Sequence, residues 1–216
     1  FLSGLIIFNI KIERLFESNN MKFTKEKILE EAFKLFLQKG YSEVSISVVQ
    51  EELGIGRATL YYYFKSKEDL FKTVIDHYII KYMESSLQIE PDATVADMIE
   101  SRIRLIIAQR DILLQSNNPN LTFFNLTSIK FIALLKYEDY RKKLEVFRNK
   151  TIELWKMAIN NSIRNKEIKE DVNVDVLSEL FANVKVSYES NFNNLIKVKD
   201  GSFIQSYFYL YELIKR

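Results

Sequence analysis

Between Gly56 and Gly201 this 216-residue chain contains no glycine, and the whole sequence holds only five glycines and two prolines. Turns between strands draw on these two residues, glycine for positive φ and proline for a preset φ. A sheet protein of this size is therefore excluded, and an all-α fold is expected. With 47% hydrophobic and 28% charged residues the chain has the composition of a globular protein with an ample core. Its formal charge of +2 rules out a wholly basic coat or a polyacidic tail, though not a local basic patch. There are no cysteines and one histidine, His77, so disulfides, thiolate metal sites, cysteine nucleophiles and multi-histidine centres within one chain are excluded. No metal, cofactor or catalytic residue is expected, and the chain is read as not an enzyme.

Residues 1–20 stand before Met21, a plausible start, and are expected to be upstream sequence or a surface arm. The sharper alternative is an amphipathic helix carrying Phe8, Ile12, Leu15 and Phe16. The apolar run around Leu5 to Phe8 is about ten residues, half of what a membrane span requires. No basic segment precedes it and no small-residue cleavage site follows, so a cytoplasmic protein without a membrane partner is expected.

From Thr24 to Lys39, the stripe Ile28, Leu29, Ala32, Phe33, Leu35, Phe36 and Leu37 predicts an amphipathic helix with Thr24 as N-cap and Gly40 as its stop. Short helices are expected at about 45–53, ended by Gly54, and at about 57–64. Ser66 followed three residues later by Asp69 resembles a capping box, opening a long helix toward Ser86. Pro91 marks a boundary, beyond which helices are expected at about 94–115, 121–136, 138–165, 174–196 and 202–215.

Two short helices joined by a glycine turn, behind a longer helix, make a helix-turn-helix arrangement at about 45–64. Val49, Leu53, Leu60 and Phe64 must be buried against the first helix. The opposite face then offers Arg57, Ala58, Thr59, Tyr61 and Tyr62, with Tyr63, Lys65 and Lys67 just beyond, to a major groove about 12 Å wide. Three consecutive tyrosines are awkward to bury because each hydroxyl needs a partner. Residues 21–83 carry ten cations and nine acids, so non-specific affinity should be modest and binding should rest on a few phosphate contacts.

These residues resemble a known family. Gly40-Tyr41, Ser45-Ile46, the run Gly54-Ile55-Gly56-Arg57-Ala58-Thr59-Leu60-Tyr61-Tyr62-Tyr63-Phe64 and Ser66-Lys67-Glu68-Asp69-Leu70-Phe71 look like the DNA-binding domain of TetR-family transcriptional regulators, over roughly residues 22–82. The resemblance implies that Ser45 caps the second helix and touches phosphate, and that Ser47 reaches the groove. It implies that Arg57, Ala58 and Thr59 open the recognition helix, that Tyr61 and Tyr62 contact bases or backbone, and that Tyr63 and Lys67 meet phosphate. Val44, Gln50 and Gly56 depart from the family's usual threonine, alanine and serine; Gly56 costs a hydroxyl contact but still serves as an N-cap.

The domain reading is an extension at 1–20, a DNA-binding domain at 21–82 and a helical ligand-binding and dimerisation domain at 83–216. His77, Phe123, Phe124, Phe131 and Trp155 are candidates for lining a small-molecule pocket, each with a plain packing role as the alternative. Arg102, Arg104 and Arg110 are expected on a solvated face beside Asp97, Glu100 and Asp111, with anion binding as the alternative, and Arg141-Lys142-Lys143 is read as solvated surface. Leu177, Phe181, Val184, Tyr188, Tyr207 and Tyr211 resemble the helix pair with which family members dimerise, or else they close the chain's own core. The reading is a homodimeric repressor that leaves a palindromic double-stranded operator when a small molecule binds. Rival readings are a helical adaptor using its helix-turn-helix on protein, and a DNA-binding regulator with a filled core and no inducer.

Overall fold

A computed structural model describes residues 24–114, 121, 123–184 and 202–216. Every regular element among them is helical, apart from one isolated bridge between Ile168 and Lys215. The chain divides into two compact units between Val74 and Ile75.

The first unit contains α1 (Lys25–Glu43), α2 (Ile46–Leu53), α3 (Arg57–Tyr63) and α4 (Lys67–Ile75), whose last residue lies at the division. Thr24 caps α1 by accepting from the Lys27 amide at 3.3 Å. Gly40 sits at φ +77° and kinks the helix rather than ending it, so a last turn runs on to Glu43. Alpha-one buries all seven residues of its apolar stripe, and it packs on α2, which packs on α3. At the end of α2, Gly54 takes the left-handed conformation (φ +63°). Its amide reaches the Glu51 carbonyl at 3.2 Å and the Ile55 amide reaches that of Gln50 at 3.1 Å, the two bonds of a Schellman turn. Phe36, Tyr41 and Phe71 form an aromatic cluster, with Tyr41 stacked on Phe36 and edge-on to Phe71.

The second unit opens with a π-helical turn, Asp76–Ile80, followed by α5 (Lys81–Ser85), α6 (Val95–Leu114), α7 (Phe123–Lys136), α8 (Glu138–Arg164), α9 (Val174–Asn183) and α10 (Ser202–Ile214). Alpha-eight is the axis on which α6, α7 and α9 all pack, while α10 packs on α6. At its centre Trp155, Phe181 and Tyr207 stack nearly parallel, with centroids 4.6, 5.8 and 6.1 Å apart. Buried polar side chains tie the chain ends of this core together. Asn161 donates to the carbonyls of Pro91 and Ala93 at 3.0 and 2.8 Å, and Ser162 accepts from the Val95 amide at 3.0 Å. The end of α10 is held by the Lys169 amide on the Ile214 carbonyl at 2.9 Å and the Arg216 amide on the Glu167 carbonyl at 3.1 Å.

The π turn is itself anchored. Lys143 donates from Nζ to Asp76 Oδ1 at 2.6 Å and to the Tyr137 hydroxyl oxygen at 2.6 Å, and that hydroxyl donates to Asp76 at 3.0 Å. Burial works against the Lys143 charge, but the bonds to Asp76 and Tyr137 outweigh it and lift the ammonium to about 12.

Candidate nucleic-acid interface

The helix-turn-helix is built by three caps and two apolar anchors. Ser45 Oγ accepts from the Val48 amide at 3.2 Å, which fixes the start of α2 and leaves the hydroxyl hydrogen available to a phosphate oxygen. The Schellman turn at Gly54 ends α2, and Gly56 starts α3 with extended backbone and no side-chain cap. Leu60 and Phe64, four residues apart, are buried and fix the rotation of α3 about its axis.

That rotation leaves Arg57, Ala58, Tyr61 and Tyr62 outward, with Tyr62 82% exposed, while Thr59 and Tyr63 are half-buried flanks. The Arg57 guanidinium lies over the Tyr61 ring at 5.8 Å, and Tyr62 meets Tyr63 edge-on at 4.9 Å. Ser47 and Lys65 are exposed, and Lys67 is half-buried with its ammonium 4.1 Å above the Tyr41 ring. The capping box at α4 takes a shifted form. Ser66 Oγ accepts from the Asp69 amide at 3.2 Å, but Asp69 returns its bond to the Lys65 amide at 2.9 Å, one residue earlier than the standard box.

Behind this face, the Tyr41 hydroxyl donates to Glu68 Oε1 at 3.1 Å. Burial and the Glu68 carboxylate push the Tyr41 hydroxyl up to about 12. Glu68 is held below the usual carboxylate range by its own backbone amide, then by Ser66 and Tyr41. Sequence reasoning did not single out this Tyr41–Glu68 pair, since nothing in the spacing of 27 residues announces it.

The pocket candidates are not brought together. Trp155 is buried in the aromatic stack, whereas Phe124 and Phe131 are 67% and 59% exposed and His77 is exposed. The side chain of Phe123 lies outside the described residues. Leu177, Phe181 and Tyr207 face the unit's own core, and Val184 and Tyr211 are half-buried; Tyr188 lies outside the described residues. The outward apolar positions of these two helices are instead Val176 and Leu180 on α9 and Phe208, Tyr209 and Leu213 on α10. Each helix carries two apolar stripes, and periodicity alone does not say which one meets the core.

One correction concerns the arginines of α6. Arg104 pairs with Glu100 on the surface at 2.8 Å as a solvated face requires, but Arg102 is only 6% exposed. Its Nη2 donates to the Ser86 carbonyl at 3.1 Å, at the end of α5 where helix carbonyls lack partners. Burial lowers its basicity and the Tyr207 hydroxyl works the other way. The side chain of Arg110 lies outside the described residues. Among the described residues no group of three or more His, Asp or Glu side chains is placed to hold a metal, and no helix is long and apolar enough to cross a membrane.

A short helix with buried anchors and an exposed, cation-flanked aromatic face, set behind a Schellman turn, defines a helix-turn-helix module. Residues 28–74 match the family model of bacterial regulatory proteins, tetR family. The chain is 40% identical over 63 residues to an uncharacterised HTH-type transcriptional regulator of Lactococcus lactis subsp. lactis, covering 29% of this chain and 32% of that one. It is also 40% identical over 60 residues to the HTH-type transcriptional repressor ComR of Escherichia coli, covering 28% and 29%. The matched stretch thus spans about a quarter to a third of the length of such relatives. The fold extends further. A transcriptional regulator from Cytophaga hutchinsonii superposes with a TM-score of 0.54 at 22% identity, over 88% of this chain and 98% of that one. The triclosan complex of SmeT superposes with a TM-score of 0.53 at 12% identity, over 87% and 88%.

Proposed function

We propose that this chain is a sequence-specific DNA-binding transcriptional regulator that acts as a homodimeric repressor. The observation that carries the reading is the outward face of α3, Arg57, Ala58, Tyr61 and Tyr62, presented by a helix whose Leu60 and Phe64 anchors are buried. An arginine on such a face reads guanine through O6 and N7, and small methyl-bearing side chains such as Ala58 or Thr59 suit thymine. Ser45, Ser47, Tyr63, Lys65 and Lys67 surround it as phosphate partners, which set position rather than sequence.

Two copies place two recognition helices in successive major grooves about 34–36 Å apart, so the operator is palindromic. The exposed apolar residues Val176 and Leu180 on α9 and Phe208 and Leu213 on α10 support dimerisation through these helices, since they point away from the core that holds Phe181 and Tyr207. A small molecule held in the C-terminal unit releases DNA if it prefers the arrangement that does not fit the operator. A mobility shift on the intergenic DNA upstream of the chain's own gene tests the reading, beside scrambled DNA and an Arg57→Ala/Tyr62→Ala variant. Selective binding that the variant loses is expected; no selectivity by a confirmed dimer at any salt concentration overturns it.

A further inference from the structure

The C-terminal unit contains a partly open groove of about 200 Å³ between the segment 80–87 and the first half of α8. Its floor is the buried pair Ile80 and Met83, with Phe147 half-buried against them. Along its α8 wall Lys142, Val146 and Lys150 recur every four residues and so form one ridge. Both of these lysines are exposed and make no ion pair among the described residues, whereas the third lysine of the wall, Lys143, is already committed to Asp76. Glu84 contributes the groove's one carboxylate. Two unpaired ammoniums against one carboxylate leave a single net positive charge beside an apolar floor.

That balance selects a ligand. A dianion such as a phosphate monoester brings one charge more than the groove matches, and it meets Glu84. A cation or a neutral hydrocarbon leaves the lysines unanswered. The volume lies below the range of about 300–1,000 Å³ that holds drug-sized molecules, so the occupant is compact. Lysine is a mobile point charge on a long stem and tolerates a carboxylate at varied depth.

We propose that this groove binds a small monoanionic amphiphile, a carboxylate on a compact hydrocarbon, with Lys142 and Lys150 holding the carboxylate and Ile80, Met83 and Phe147 the hydrocarbon. Its role as the effector site rests on the reading of the chain as a ligand-released regulator; the binding itself does not. The exposed lysines lose side-chain freedom on closing over the carboxylate, and the burial of hydrocarbon offsets that loss.

Calorimetric titration of the full chain with octanoate, octan-1-ol and octylammonium tests the site. Octanoate is expected to bind at least tenfold more tightly than the other two. Lys142→Ala/Lys150→Ala should weaken octanoate at least tenfold with unchanged circular dichroism, and Lys142→Arg/Lys150→Arg should restore most of it. Val146→Trp, which fills the groove and leaves both lysines in place, should abolish binding. Equal binding of the three probes, or octanoate binding that neither the double alanine variant nor Val146→Trp reduces, overturns the site. A parallel mobility shift separates the two readings. Groove binding without operator release removes the effector role and leaves the site, whereas selective DNA binding by a chain that ignores octanoate removes the site and leaves the regulator.

Discussion

Arg57 is held over Tyr61 before any DNA is present, so part of the entropy of ordering its long side chain is already spent in the free protein. Arg57→Ala should therefore weaken operator binding by about 1–3 kcal/mol and relax sequence preference at the base it reads. Lys65→Ala should weaken all sequences alike and flatten the salt dependence by about one unit of slope, as removal of a phosphate partner does; competition binding at two salt concentrations checks both. Tyr41 offers a pH test. Its hydroxyl is pushed up to about 12 when folded, so the unfolded chain gives up this proton first as pH rises. The resulting stability is present below about pH 10 and is lost between pH 10 and 12. Denaturant melts across that window should show a shallower loss for Tyr41→Phe than for the parent chain. The residues of α3 could be named because a helix with Leu60 and Phe64 inward has only one face left. Arg102 is not legible in this way, because its spacing beside Glu100 and Arg104 is that of a surface helix, and the Ser86 carbonyl at the end of α5 is what turns it inward.

The elements were more legible than their ends. Helix spans follow from the apolar period, and the starts at Thr24, Ser45 and Ser66 follow from hydroxyl side chains that bond amides three residues on. The π turn at Asp76–Ile80 was not legible, because a single extra residue within a helix leaves an apolar stripe that still reads as helical. Nor was the choice between stripes on α9 and α10, which depends on the stack around Trp155. Gly54 gives the sharpest test of an element boundary. A Cβ there meets nothing within 4 Å, so the cost of Gly54→Ala comes from the left-handed φ alone. A loss of about 1 kcal/mol is expected from chemical denaturation, and Gly54→Asn, which tolerates that region, should lose less. Ser66→Ala removes the cap of α4 and should cost a similar amount.

For the molecule as a whole, the exposed apolar residues of α9 and α10 are the feature with the largest consequence. Leu180→Glu with Leu213→Glu places a charge on the exposed apolar positions of each helix without touching Phe181 or Tyr207 in the core. Sedimentation should then show a monomer with unchanged helicity, and operator affinity should fall far more than for any single contact, because one half-site supplies only its own share of the contacts. The sole tryptophan, Trp155, lies in the core of the second unit and makes its emission a private reporter of that unit's melting.

The π turn fixes an angular phase as well as a bond pattern. Each residue of an α-helix advances about 100° around the axis, and the wider winding of the π turn absorbs the one extra residue between Asp76 and Ile80, so everything after it keeps the phase it would have in a helix one residue shorter. Deleting Tyr78 would return the segment to ordinary helical winding while leaving Ile80 and Met83 on the wall they share with Val146 and Phe147. A change of chain length within α5 has no such slack and turns everything after it by about 100°, so loss of one residue should be tolerated at the π turn and refused in the helix that follows.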